Sequence, residues 1–290
     1  MPFRERLSRF GDRVRLPALP AGAPRDKTDH VAAVSFALAH PALPLMQVVL
    51  APATRKAASV LTKPSNPLDH DVCLTFEDVK ALKNDWLTDN NIAFWEEFLE
   101  HEVLTKYPQA RIVLLRPSMA FLLMKNKDTD SVRSALPDFR GITHIFLPIN
   151  DNRNVSVAEG GSHWSLLLVS IIDGVAFHYD SLEGANNDEG WDCCKRLSSV
   201  LGRPLRFHYL QDCPQQENGS DCGVFVCILM RHLLVKRLLA VNAGEKISMS
   251  MAHKAIDAIG ARKEMLKIIE TLRKEGERRS PASNTPPRID

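Results

Sequence analysis

Three observations predict an α+β fold for this chain. Apolar residues recur at helical spacing in several separate segments, and strand-like apolar runs cluster between residues 142 and 179. The two kinds of element also mix without the regular β-α-β alternation of a wholly parallel sheet. With 290 residues, 44% of them hydrophobic, the chain can close a full core without disulfides or metal.

Composition divides the chain in three. Residues 1–65 are proline-rich and aperiodic, and read as a weakly ordered extension. Residues 66–275 carry a continuous globular pattern without internal repeats, and residues 276–290, a run rich in charge, serine and proline, read as a disordered tail. The extension opens with seven basic residues, Arg4 to Lys27, against Glu5, Asp12 and Asp26. Transit peptides are poor in acids and rich in serine, which makes targeting the lesser reading there beside a disordered tail or an upstream extension outside the domain.

Within the globular part the elements follow in order. Thr75 and Asp78 have the spacing of a helix-opening capping box. Residues 89–104 place Ile92, Trp95, Phe98, Leu99 and Val103 on one helical stripe. Ile142–Ile149 and Trp164–Ile172 are apolar runs of strand length, and Val175–Tyr179 is a third. Asp173-Gly174 between the last two signals a two-residue hairpin. Val224–Leu234 is apolar nearly all round, as a buried central helix requires. Residues 251–274 suit a closing amphipathic helix.

Several classes of function are disfavoured. Lys plus Arg is 37 against 35 for Asp plus Glu, a net charge of +2, where a nucleic-acid binder usually shows a basic field. The longest apolar stretch, Val31–Pro52, is broken by His40, Pro41 and Pro44, which argues against a membrane span. Six cysteines without regular spacing make no disulfide framework and point to a reducing, intracellular setting. Neither Cys193-Cys194 nor Cys222 with Cys227, even with His208 and Cys213 nearby, has zinc-site spacing, and there is no Walker-type loop. No metal or cofactor is expected.

Three segments can carry chemistry: residues 160–167, 177–181 and 214–226. Cys222 follows Ser220 and Asp221, both preferred N-cap residues, at the start of the apolar helix. Free N–H groups and the helix dipole there favour a thiolate. A small buried hydrophobe is the other common fate of a free cysteine, and position alone leaves both open for Cys222. Cys227, deeper in the same run, fits the buried fate.

A thiolate needs a base and the base an orienting group. His163 begins one arm of the hairpin and Asp180 ends the other. A two-residue turn at Asp173-Gly174 sets Asp180 opposite Leu167, on the face of His163 but four residues, about 13 Å, along the strand. Curvature, a bulge or a looser turn must close that gap. His144, His178 and His208 compete for the role; His163 is preferred because Gly160-Gly161 makes an opening before it. Gln216, in the loop before Cys222, can donate to an oxyanion beside the Cys222 N–H, or simply face water. Trp164 suits either a channel wall or the core.

Together, in the order His163-Trp164, Tyr179-Asp180-Ser181 and Gln216 to Asp221-Cys222-Gly223, these blocks resemble the ubiquitin-like-protein proteases, the deSUMOylating and deneddylating cysteine proteases. Trp86-Leu87-Thr88-Asp89-Asn90-Asn91-Ile92 matches the family's N-terminal block, and the likeness covers residues 66–273. It implies a papain-like-related fold, with a central mixed sheet and a buried helix bearing the nucleophile at its N-terminus. It further implies Cys222 as nucleophile, His163 as base and then acid, Asp180 as its orienter and Gln216 in the oxyanion hole. Trp86 and Trp164 would flank a narrow channel for a Gly-Gly tail, with Asp89 facing the basic residue upstream.

The wording Ile149-Asn150-Asp151-Asn152 and Gly160-Gly161-Ser162-His163-Trp164-Ser165-Leu166-Leu167 looks like the deneddylase branch more than the SUMO proteases. The implied activity is release of the neddylation modifier from conjugates such as cullins, with possible precursor processing, by a monomer in the cytoplasm or nucleus. A SUMO protease and a catalytically silent modifier-binding module are the alternatives, and an acyltransferase using acetyl-CoA ranks last. Thr88, where the block usually has Asn, and Ser220, where an aromatic usually stands, depart from the pattern outside the catalytic positions.

Overall fold

In the computed structural model, which describes residues 13–15, 72–154, 160–241 and 245–279, the first helix opens on the capping pair that the sequence marks. The Thr75 side chain accepts from the Asp78 N–H, and Asp78 Oδ2 accepts from the Thr75 N–H at 2.7 Å, starting α1 (Phe76–Asn84). Thr88 and Asn91 form a second capping box at the head of α2 (Asp89–Glu102). The departure at Thr88 therefore has a structural use: its hydroxyl caps α2 and also donates to Asp78 Oδ1 at 2.6 Å.

A strand and two helices follow that periodicity does not reveal: β2 (Ile112–Leu114), α3 (Pro117–Lys125) and α4 (Thr129–Ala135). The apolar runs form β3 (His144–Asn150), β4 (Trp164–Ser170) and β5 (Val175–Tyr179). Helix α5 (Asn187–Leu201) leads to β6 (Arg206–Tyr209). The expected central helix is α6 (Cys222–His232), continued as a π-helical stretch over Leu233–Leu238.

Strands β2-β3-β4-β5-β6 make one sheet in that order. It is mixed, with β2 parallel to β3, β6 parallel to β5 and the inner pairs antiparallel. Both faces are covered because alternate residues serve different cores. Phe146, Leu166, Leu168, Phe177 and Tyr179 pack with α2, α6 and α7 (Ala258–Arg279). Ile145, Leu147, Ile149, Leu167, Val169 and Ala176 pack with α3, α4 and α5. Helix α6 buries Val224, Phe225, Val226, Leu229 and Met230, each of which contributes about 1.5–3 kcal/mol on full burial. The helix bearing Cys222 is thereby anchored in the larger core. This is the expected α+β class with a mixed sheet.

Three boundaries differ from expectation. The hairpin does not turn on two residues: Ser170 pairs with Val175, leaving a four-residue loop, Ile171–Gly174. Ser170 Oγ donates to Asp173 Oδ2 at 2.6 Å and Gly174 adopts φ +66°, so Asp173-Gly174 finishes a longer loop closed by that side-chain bond. The closing helix begins at Ala258, not 251, because Met249 and Met251 are buried in the core and Met249 offers its carbonyl to Tyr179 Oη at 2.9 Å. It then runs to Arg279, past the expected start of the tail at Gly276.

Most of the proline-rich extension and residues 280–290 lie outside the described residues. Within the extension, Arg13–Arg15 forms β1, antiparallel to β7 (Lys246–Ser248).

Candidate active site

The looser hairpin decides the geometry of the site. Leu167 pairs with His178, so one further step sets Asp180 level with Ser165, two residues from His163 instead of four. The remaining offset, about 7 Å along a strand, is within reach of two side chains at the sheet's end. His163 Nε2 lies 2.6 Å from Asp180 Oδ1. Parity survives the change because the register moved by an even number of residues.

Asp180 is fully buried and also accepts backbone N–H groups, Leu182 at 3.0 Å on Oδ1 and Asn186 at 2.9 Å on Oδ2. Burial pushes its carboxyl up, but the bond from His163 and these two N–H groups outweigh it and hold Asp180 below the ordinary aspartate range. Burial likewise pulls the His163 imidazole down. Its hydrogen bonds to Asp180 and Cys222, with their negative charge, prevail and lift it to about 9. With Nε2 taken by Asp180, Nδ1 is the nitrogen left for the Cys222 thiol.

The loop before His163 is fixed by Asp151. Its carboxylate accepts the Ser162 N–H and hydroxyl, each at 2.6 Å, and the His163 N–H at 3.0 Å. Gly160 and Gly161 are required by this packing as well as by the opening they make. A Cβ on Gly161, at φ +90°, would lie 2.2 Å from Asn150 Oδ1, and one on Gly160 would lie 2.6 Å from Asn152 Nδ2.

Cys222, 1% exposed, is the first residue of α6. Asp221 stands at the N-cap, as expected, yet its carboxylate does not cap. It is drawn instead to Arg262 at 2.8 Å and to Asn218 Nδ2 at 2.7 Å. The first turn of α6 therefore has no side-chain cap, and its N–H groups can meet developing negative charge. Gln216 is tethered to the end of the Asp180 strand: its N–H donates to the Ser181 carbonyl at 2.8 Å and its Oε1 accepts Ser181 Oγ at 2.7 Å. Its Nε2 donates to the Asn218 carbonyl at 2.7 Å, which leaves one amide hydrogen.

A cleft of about 290 Å³ brings Cys222 and His163 together with Trp86, Asp89, Gly160 and Trp164. Trp164 is buried and donates Nε1 to the Leu87 carbonyl at 3.1 Å, whereas Trp86 is 45% exposed. Asp89, the first residue of α2, joins Glu77 and Asp85 on the rim, with Lys80 beside them.

The competing side chains are placed elsewhere. Burial pulls His144 and His178 down to about 4, so both are neutral; His178 Nε2 is held by Ser165 Oγ at 2.9 Å. His208 stacks on Phe177. Burial pushes the thiols of Cys194 and Cys213 up, to about 11 and about 12, and raises those of Cys193 and Cys227 as well. Among the described residues no group of three or more His, Cys, Asp or Glu is arranged to hold a metal ion.

Asn186, Asp151 and Arg262 hold the site, and reading the sequence did not single them out for it. Arg262 had a usable signal, since it shares a helical stripe with the apolar Met265 and Ile269, where an exposed arginine would not stand. Asn186 had none.

Residues 85–263 match the family model described as the Ulp1 protease family, C-terminal catalytic domain. Fission yeast (Schizosaccharomyces pombe) NEDD8-specific protease 2 is 35% identical over 213 residues, covering 69% of this chain and 51% of that one. NEDD8-specific protease 1 of the same organism is 37% identical over 58% of this chain and 41% of its own length. Arabidopsis thaliana NEDD8-specific protease 1 is 34% identical over 57% of this chain and 76% of its own. The chain thus spans about half the length of the two fission-yeast relatives. Among solved structures, the SUMO protease Ulp1 with its catalytic cysteine oxidised to a sulfenic acid superposes with a TM-score of 0.51 at 23% identity, covering 70% of this chain and 88% of that one. That likeness concerns the fold.

Proposed function

Because the chain belongs to the Ulp1 protease family, we propose that it is a cysteine peptidase that cleaves after the C-terminal Gly-Gly of a ubiquitin-like modifier. NEDD8 is the favoured modifier, in keeping with the names of the relatives and with the Asn150-Asp151-Asn152 and Gly160-Gly161 wording, and SUMO is the second. The bond cleaved would join the modifier's last glycine to a target lysine or to a precursor extension. The observation that carries the reading is the 2.6 Å contact between His163 and Asp180, with Cys222 interacting with the same imidazole from the uncapped start of α6.

In this reading the Cys222 thiolate attacks the glycine carbonyl. The oxyanion is met by the Cys222 N–H and the Gln216 amide. Imidazolium His163 gives its proton to the leaving amine, and the neutral ring then takes one from the water that hydrolyses the thioester. Asp180 keeps the ring oriented through both halves of the cycle. A passage between Trp86 and Trp164 admits a tail without side chains, and the acidic rim at Asp89 suits a basic residue just upstream. Six cysteines in 290 residues, without the regular spacing of a disulfide framework, fit a reducing compartment, and we place the enzyme, as a monomer, in the cytoplasm or nucleus.

The test is side-by-side incubation with C-terminally electrophilic NEDD8, SUMO and ubiquitin, with Cys222→Ala as control. Labelling by the NEDD8 probe alone is expected. Labelling by SUMO alone would overturn the branch, and labelling by none would replace the peptidase with a silent binding module.

A further inference from the structure

One buried guanidinium ties together the two sides of the cleft. Arg262 lies on α7, outside the cleft lining, and is 5% exposed. Each of its five N–H donors has an acceptor. Nε donates to Asp221 Oδ1 at 2.9 Å. Nη2 donates to the carbonyls of Ser220 at 2.9 Å and Asp85 at 2.8 Å. Nη1 reaches the Ala81 carbonyl at 3.1 Å and that of Leu82 at 3.4 Å. Ser220 and Asp221 lead directly into Cys222, while Asp85 leads directly into Trp86. The cation also sits at the carbonyl end of α1, where positive charge is favoured.

Two further contacts hold the Trp86–Leu87 segment at a fixed distance. A Cβ on Gly223 would lie 2.8 Å from Leu87 Cβ, so the start of α6 touches this segment with no room for a methyl group. On the other side, Trp164 Nε1 holds the Leu87 carbonyl at 3.1 Å. The backbone around Trp86 is thus fixed against Cys222 by Arg262 and Gly223 and against His163 by Trp164. The indole of Trp86 itself is left facing the cleft.

We propose that Arg262 is a positioning residue for tail selectivity. By bridging Ser220-Asp221 to Asp85, it sets the gap between the Trp86 wall and Cys222, and so the width of chain the cleft admits. The proposal rests on the reading that this cleft takes a glycine tail. A planar five-donor fork is needed because its acceptors are spread over two segments, the end of α1 and the residues before α6; a lysine keeps the charge beside Asp221 but cannot span them.

The experiment compares wild type, Arg262→Lys and Gly223→Ala on modifier substrates ending in Gly-Gly and in Ala-Gly. Alkylation of Cys222 by iodoacetamide is followed in parallel. A tight pocket resists one added methyl by about tenfold or more. Arg262→Lys is expected to cut the Gly-Gly over Ala-Gly preference in kcat/KM by about that factor. The alkylation rate should stay within about twofold, the scale of a change that leaves the nucleophile's surroundings intact. Gly223→Ala, which pushes on Leu87 without touching the buried cation, should narrow the preference in the same direction, and it carries the test if Arg262→Lys does not fold. An unchanged tail preference in a folded variant overturns the proposal, as does an alkylation rate that falls in step with turnover. Wild type that turns over neither substrate would instead overturn the proposed function beneath it.

Discussion

The backbone N–H of Asn186 donates to Asp180 Oδ2 at 2.9 Å, so the carboxylate that orients His163 is gripped from the start of α5. The same residue's side-chain amide lies 3.3 Å from the His163 carbonyl and 3.2 Å from both the Ile149 carbonyl and Ser165 Oγ. Both members of the His163–Asp180 pair are thus held by one buried asparagine.

Asn186→Ala keeps the bond to Asp180, which is made by the backbone, and removes the amide that fixes His163 from behind. Such a loss of alignment should lower kcat about tenfold while KM stays within about twofold. Steady-state kinetics checks it, and a rise in KM with kcat preserved would reject the positioning role.

The pH dependence follows from His163. Its imidazole is raised from 6.5 to about 9, so the proton needed by the leaving amine is retained up to that pH and lost above it. An alkaline limb of kcat/KM near pH 9 is therefore expected. Asp180→Asn removes a raising influence and should move the limb to lower pH. The same shift acts on stability: the contribution of His163 is complete below about 6.5 and is lost as pH rises through about 9. Asp180, lowered, contributes above its ordinary value of 3.8 and loses this as pH falls through its folded value. Thermal unfolding across this range, with and without Asp180→Asn, reads both.

Gln216→Ala should lower kcat by about 10²- to 10³-fold, the usual cost of one oxyanion donor. Cys222→Ala should abolish turnover and retain modifier binding. If Gln216→Ala turns over at the wild-type rate, the amide serves only to tether Ser181 and Asn218.

Glu96 on α2 is fully buried, and among the described residues neither of its carboxylate oxygens has a hydrogen-bond partner; Arg116 Nη1 is 3.8 Å away. Burial raises its carboxyl well above the ordinary value, and the opposing charge of Arg116 does not restore it. A raised folded value means that its favourable contribution is complete below about 4.5 and declines as pH rises towards the folded value. Glu96→Gln, neutral at every pH, should raise the unfolding midpoint at pH 8 and leave it nearly unchanged at pH 4. Equal midpoints at pH 8 would contradict the burial argument.

Much of the site was legible because it rests on short-range rules. The Thr75 and Asp78 cap, the stripe of α2, the three strands and the apolar α6 each follow from spacing within a few residues. So did the common face of His163 and Asp180, since strand parity is a local property. Resemblance to known blocks then implied roles that spacing left open, such as that of nucleophile for Cys222. The short elements β2, α3, α4 and β7 were missed because their 3 to 9 residues are too few for periodicity to stand out, and the 15-residue α5 was missed as well.

The sequence by itself determined which side chains can do chemistry and which face of the sheet they share. Only the tertiary structure decided whether they meet. The distance from His163 to Asp180 depends on how the loop Ile171–Gly174 closes, and a two-residue loop and a four-residue loop give the same parity with different offsets. The contacts that hold the site in place, Arg262 to Asp85 and Asn186 to His163, join residues 177 and 23 positions apart. Such bonds leave no local pattern, because they form only after helices and sheet have packed and buried polar groups must find partners within reach.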